Sequence, residues 1–174
     1  RLSLVGSEMC IRDRHHWFND IEVTKYLVHG VYPISREQQA DFVKQNLANP
    51  STMLLAIVSK ANDKHIGVIS LKNIDLVNRN AEIAIVMGST SIPGAALEAM
   101  GLLIDHSFCR LNLRKVYAGQ NEDLWKWINQ LELIGFQLEG YRAEMGSRNG
   151  KSYGIVFTSV VAERYFHLKS KRGG

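Results

Sequence analysis

From His15 onward, hydrophobic and polar positions fall into runs whose period switches between helical and strand-like. Trp17, Ile21 and Leu27 in "HHWFNDIEVTKYL" recur near helical spacing, with Asn19 and Asp20 as a local breaker. "SREQQADFVKQNLA" opens on Ser35 and carries Gln38 three residues later, a capping box that predicts a helix over about 36–48. "TMLLAIVSK", "HIGVISLKNID" and "NAEIAIVMG" are short runs rich in strand formers. In the last of them Ala81, Ile83, Ile85 and Met87 share one side, and Glu82, Ala84 and Val86 the other. The three runs predict an antiparallel meander. Leu97, Met100, Ile104 and Phe108 then make one apolar stripe at spacings of three and four, the mark of a helix. "LRKVYAG" reads as a strand, "EDLWKWINQLELI" as a helix and "GFQLEGYRAEM" as a strand, before "SRNG" turns the chain into "KSYGIVFTSVV". This order predicts an α/β domain built on a central sheet. A first strand is missing from it, and residues 1–14 stand in its place.

Length and composition narrow the picture. A chain of 174 residues is expected to be one domain with a sizeable core. No apolar run approaches the roughly 20 residues of a spanning helix, so no membrane partner is expected. Cys10 and Cys109 cannot make a disulfide framework, and no Cys/His spacing reads as a metal site, so the expectation is a cytoplasmic protein without a metal. The net charge of +4 suits an anionic ligand but is too dilute to argue for nucleic acid. Much of it sits in the last residues, so 166–174 is expected to be a frayed basic tail.

The leader is set apart. "EMCIRD", Glu8 to Asp13, resembles the translation of a transposon-end adaptor used in sequencing libraries, so residues 1–14 are expected to be a non-native leader. "RLSLV" has strand character all the same. If the leader has displaced a native strand, an open sheet edge and poor solubility are expected.

Candidate chemistry begins at "SIPGAALEAM". A helix leaves its first amides unpaired and carries partial positive charge at that end. Pro93 suits the first helical position, and Gly94, Ala95 and Ala96 then offer amides that almost no side chain obstructs. The stretch predicts a phosphate cradle. Ordinary capping by Ser89, Thr90 or Ser91 is the competing reading.

From here the sequence resembles the Gcn5-related N-acetyltransferases, in particular the branch of the ribosomal-protein alanine acetyltransferases. Gly94, Ala96, Glu98 and Ala99 match that family's loop in register, "LELIGFQLEG" matches its "LEKLGF…EG", and "WFNDIEVTKYL", "HIGVISL" and "NAEIAI" resemble its earlier elements. The likeness covers residues 15–165. It implies a mostly antiparallel sheet that splays between a fourth strand (Ala81 to Met87) and a fifth (Leu113 to Gly119), with helices on its flanks and acetyl-CoA in the splay. Ile85, Val86 and Met87 are implied for the pantetheine arm and the thioester oxygen, and Ser91, Ile92, Gly94, Ala95, Ala96 and Gln120 for the rest of the cofactor. The chemistry is direct attack by an amine, which needs a proton acceptor. Glu82 is the first candidate base and Glu144 the second. Glu139 and His106 read as structural, and Tyr117 faces either the cofactor or the core.

The departures are specific. Ser91, Ile92 and Pro93 stand where the family carries Arg, Gly and Lys; Leu124 and Trp127 replace a cofactor asparagine and serine, and Leu131 replaces the tyrosine many members use as general acid. Water, Gln120 or Asn121 are left as substitutes. The implied acceptor is a small-molecule amine, with a nucleotide-linked amino sugar favoured over a protein amino terminus because "VYAGQNEDLW" resembles cell-surface sugar acetyltransferases. A degenerate acyl-CoA-binding module is the other reading. A monomer or homodimer is expected.

Overall fold

The computed structural model describes residues 1–4, 8–27, 32–88 and 92–172. Its helices are α1 (Glu8–Phe18), α2 (Ile21–Thr24), α3 (Arg36–Ala48), α4 (Ala95–Cys109), α5 (Trp125–Leu131) and α6 (Ala162–Lys171). Its strands are β1 (Leu2–Leu4), β2 (Met53–Val58), β3 (His65–Asp75), β4 (Asn80–Met87), β5 (Lys115–Asn121), β6 (Gln137–Arg148) and β7 (Lys151–Val161). They form a seven-stranded mixed sheet in the order β1-β2-β3-β4-β5-β7-β6. The β4–β5 pairing is parallel, as a strand–helix–strand crossover through α4 requires.

Local chemistry sets the boundaries. The Ser35 hydroxyl accepts from the Gln38 amide while the Gln38 side chain accepts from the Ser35 amide, so α3 starts where the capping box predicts. The Asp20 carboxylate caps α2 by accepting from the Glu22 amide, which is why the chain breaks after Phe18. Asn149 and Gly150, at φ +52° and +73°, close the β6–β7 hairpin with the positive angles a two-residue turn demands.

Two compact units divide the chain: Arg1–Ile74 with Ile83–Leu102, and Asp75–Glu82 with Leu103–Gly174. In the first, Trp17, Val43, Leu54, Ala56 and Val68 form a buried cluster with Cys10, and Val86 packs against it. Arg14 is buried there too, its guanidinium 4.3 Å from the Phe18 ring centroid and 4.7 Å from that of Phe42, with Nε donating to Gln39 at 3.0 Å. Burial pulls its pKa down to about 10. In the second unit Leu103, Ile104, Val116, Leu131, Phe136 and Val160 are fully buried.

Two expectations change. The missing first strand is present: Leu2–Leu4 pairs antiparallel with Leu55–Ile57, so β2 is not an open edge there. The basic C-terminal stretch is helical through Lys171 instead of frayed, because Tyr165 packs edge-on to Phe108 at 5.6 Å and Lys169 pairs with Asp105 at 2.6 Å. Leu97, first in the predicted α4 stripe, is only half-buried, while Met100, Ile104 and Phe108 are buried as expected.

Candidate functional site

At the start of α4 the structure replaces the predicted cap with a turn. Pro93 does not occupy the first helical position; the helix begins at Ala95. Gly94 has φ +79°, which no helical residue can adopt, and the Ala95 amide donates to the Ile92 carbonyl at 3.1 Å. Proline followed by a positive-φ glycine is the pattern of a type II turn, so Pro93 serves the turn and not the helix. Gly94 takes the N-cap position, its carbonyl accepting from the Glu98 amide at 2.9 Å. A glycine brings no capping side chain, which leaves the next amides, Ala96 and Leu97, uncapped by it. The Ala95 amide, expected in the cradle, is spent on closing the turn.

Among the described residues the approach to this end of the helix is unobstructed. A Cβ built on Gly94 would meet nothing within 4 Å, and Ile92, Pro93 and Gly94 are exposed. Ile92 and Ala95 line a cavity of about 250 Å³ with Ile57, Lys60, Glu98 and Leu102. Ser89, Thr90 and Ser91, and with them the competing serine or threonine cap, lie outside the described residues. Ile85, Val86 and Met87 are half-buried at the end of β4, where the Gly88 amide donates to the Ile66 carbonyl at 2.8 Å.

Glu82 stands where the parallel ladder stops. The pairs are Asn80 with Lys115, Ala81 with Val116 and Glu82 with Tyr117, while β4 runs on to Met87 and β5 to Asn121. Registered neighbours in a sheet share a face, so Glu82 and Tyr117 lie side by side, and the latter's orientation is resolved: it shares Glu82's face and not that of buried Ala81 and Val116. Both are half-buried. Ser159 continues the row opposite Tyr117.

The other candidates are dispersed. Glu144 is exposed on β6 at φ +53°, inside the register shift between Arg142 and Gly146, and two strands separate it from β4. Glu139 accepts from Lys115 at 2.5 Å and from Ser159 at 2.7 Å, a cross-strand tie that keeps its carboxyl below the usual range. Gln120 is buried and its amide donates to the Thr158 hydroxyl at 3.1 Å. The Asn121 side chain accepts from the Asp123 amide and so caps the turn leading to α5. Leu131 is fully buried, Leu124 and Trp127 are half-buried, and His106 is exposed.

Three groupings were not legible beforehand. Glu122 accepts from the Tyr141 hydroxyl at 2.7 Å and from the Gly154 amide at 2.5 Å, which lowers its carboxyl and raises the phenol. The Arg142 guanidinium lies 4.9 Å from the Phe157 ring centroid. The His65 side chain is buried, with Nδ1 3.2 Å from the Asp13 carboxylate and its ring 4.7 Å from Trp17; among the described residues its Nε2 has no partner. Alternation in "GYRAE" and "YGIVF" is the only sequence trace of the first two. Among the described residues no group of three or more His, Cys, Asp or Glu is placed to hold a metal, and no helix is long and apolar enough to cross a membrane.

Residues 9–137 match the family described as "Acetyltransferase (GNAT) domain". The chain is 29% identical over 154 residues to an uncharacterized N-acetyltransferase p20 of Bacillus licheniformis, covering 86% of this chain and 85% of that protein. It is 27% identical over 112 residues to a spermidine N(1)-acetyltransferase of Vibrio cholerae, covering 64% and 65%. The crystal structure of a Vibrio cholerae spermidine N-acetyltransferase in complex with CoA and spermine superposes with a TM-score of 0.87 at 21% identity, over 95% of this chain and 97% of that one.

Proposed function

The chain belongs to the GNAT acetyltransferase family, and on that premise we propose that it transfers acetyl from acetyl-CoA to the primary amine of a small molecule. The observation that carries the chemistry is Glu82, half-buried beside Tyr117 at the point where the parallel ladder ends. We assign the transferring domain to residues 15–165; residues 9–14 fall within the family match as well, and Cys10 packs in the buried cluster of the first unit.

The residues fit the co-substrate at one place above all. The space around Gly94, where an added Cβ would meet nothing within 4 Å, and the Ala96 and Leu97 amides, which Gly94 has no side chain to cap, suit a diphosphate at the positive end of α4, with Ile92 and Ala95 around it; Ser91, assigned to the same group, lies outside the described residues. Acetyl-CoA supplies a thioester: attack of a neutral amine on its carbonyl forms the C–N bond and breaks the C–S bond, and the departing sulfur takes up a proton. Glu82 accepts the proton the amine loses, directly or through one water. Backbone amides around Ile85, Val86 and Met87 orient the acetyl group and donate to the carbonyl oxygen as it gains charge. Leu131 cannot donate a proton, so the thiolate leaves with help from solvent; a thiol with a pKa near ~8.5 tolerates that. Glu144, exposed on β6, is the reserve base.

Relatives named for spermidine make polyamines one class of acceptor to test, and a nucleotide-linked amino sugar is the other; a protein amino terminus is the alternative. The test is acetyl-CoA turnover with a panel of these amines, in the wild type and in Glu82→Gln. The variant should lose about 10²–10⁴-fold in kcat while still binding CoA. CoA binding without thiol release from any amine would leave an acyl-CoA-binding module instead.

A further inference from the structure

The sheet of the second unit has two unlike faces. Ala81, Val116, Ala118, Thr158 and Val160 make one, and all are buried. Ladder register puts Glu82, Tyr117, Gly119 and Phe157 on the other, where Glu82, Tyr117 and Phe157 are half-buried and Gly119 is exposed, beside buried Asn121, Ile155 and Ser159. Gly119 forms the floor: a Cβ there would come within 3.2 Å of Ile155 and 3.4 Å of the Phe157 ring. Arg142, in register with Ile155, brings its guanidinium over Phe157 on this same face.

Arg142 is unusual among the charges of the face. Lys115 and Glu139 neutralise each other, whereas among the described residues Arg142 has no carboxylate partner. A cation–π contact with Phe157 draws the guanidinium toward this face, and among the described residues no acceptor takes its N–H groups. Two strand spacings and two residues along the strand separate Glu82 from Phe157, about 12 Å between backbones at ordinary sheet dimensions. Arg142 lies beyond residue 137, where the family match ends.

We propose that Arg142 is a specificity residue that binds an anionic group, phosphate or carboxylate, carried by the acceptor whose amine is delivered to Glu82. The inference rests on the transferase reading above. It makes the preferred acceptor an amine bearing negative charge and disfavours polycations, which would meet an uncompensated guanidinium. Phosphate is the better match, because a guanidinium fork pairs with two of its oxygens at once.

The experiment compares UDP-glucosamine, its uncharged counterpart methyl glucosaminide and spermidine as acceptors, in the wild type, Arg142→Gln and Arg142→Lys. The wild type should favour UDP-glucosamine over methyl glucosaminide by about ten-fold or more in kcat/KM. Arg142→Gln should abolish that preference through KM with kcat changed less than about two-fold, and Arg142→Lys should restore part of it. An unchanged KM for acetyl-CoA assigns the anion to the acceptor; a raised one would assign Arg142 to the phosphates of the cofactor and overturn the proposal. So would a wild-type preference for spermidine, or a preference for UDP-glucosamine that survives Arg142→Gln. Calorimetric titration with UDP-glucosamine reads the same contact without turnover. Ten-fold weaker binding by Arg142→Gln supports the anion site and equal binding overturns it, while intact binding without turnover in the wild type counts against the transferase reading alone.

Discussion

The ring of Tyr141 lies across the backbone of Gly154: a Cβ on that glycine would come within 2.3 Å of the ring and hydroxyl. The same hydroxyl donates to Glu122, whose other oxygen accepts from the Gly154 amide, so three residues on three strands or strand ends are tied at one point. Gly154→Ala should therefore push the ring out and cost about 1–3 kcal/mol in urea unfolding, the usual range for overpacking. In a Tyr141→Ala background the same substitution should cost much less. Equal costs in the two backgrounds would show that the ring is not what the glycine accommodates.

Gly94 tests a different constraint. Space around it is open, so the cost of Gly94→Ala comes from the backbone angle of +79° alone, about 1–2 kcal/mol if the turn is kept. Relaxation of the turn would instead release the Ala95 amide from Ile92 and misplace the first turn of α4. Either way CoA should bind more weakly, measured by calorimetry, while the Glu82 chemistry at saturating CoA changes little. Unaltered CoA affinity in a folded Gly94→Ala protein would remove the diphosphate from this end of the helix.

His65 makes stability depend on pH. Burial holds its pKa below the usual histidine value, and Asp13 only partly opposes this. The folded state thus prefers neutral imidazole, whereas the unfolded chain takes up a proton near pH ~6.5. The contribution is fully present above that pH and is lost as pH falls below it toward the folded value. Thermal melts between pH 7.5 and 5 should show the wild type losing stability faster than His65→Phe. Parallel curves would mean that the imidazole stays neutral, or charged, in both states.

How much could be read beforehand depended on how local the cause was. The α3 boundaries follow from Ser35 and Gln38, three residues apart, and the hairpin from Asn149–Gly150, so both were legible. The stripe of α4 was legible from Met100 to Phe108, but its first turn was not. Proline at a helix start and proline in a type II turn look alike until the φ of the following glycine is known. Helix α6 was missed because its anchors, Phe108 and Asp105, are more than fifty residues from the residues they hold. At the site, Glu82 could be placed on a face by alternation. Its neighbour Tyr117 could not, because the register of a parallel pair is set by a crossover and not by a turn. Arg142 over Phe157 depends on a register shift in β6 that no residue type announces.

That register shift has a consequence for how molecules meet one another. Strand β6 is 12 residues long and ends the sheet. Its ladder to β7 is interrupted between Leu138 and Gly140 and again between Arg142 and Gly146, so among the described residues no stretch of more than three consecutive pairs survives. A margin broken this way, with Glu144 turned into left-handed backbone in the gap, offers an incoming chain no long template on which to zip. The irregularity that aims Arg142 would also keep crowded copies of the protein from seeding fibrils along that rim.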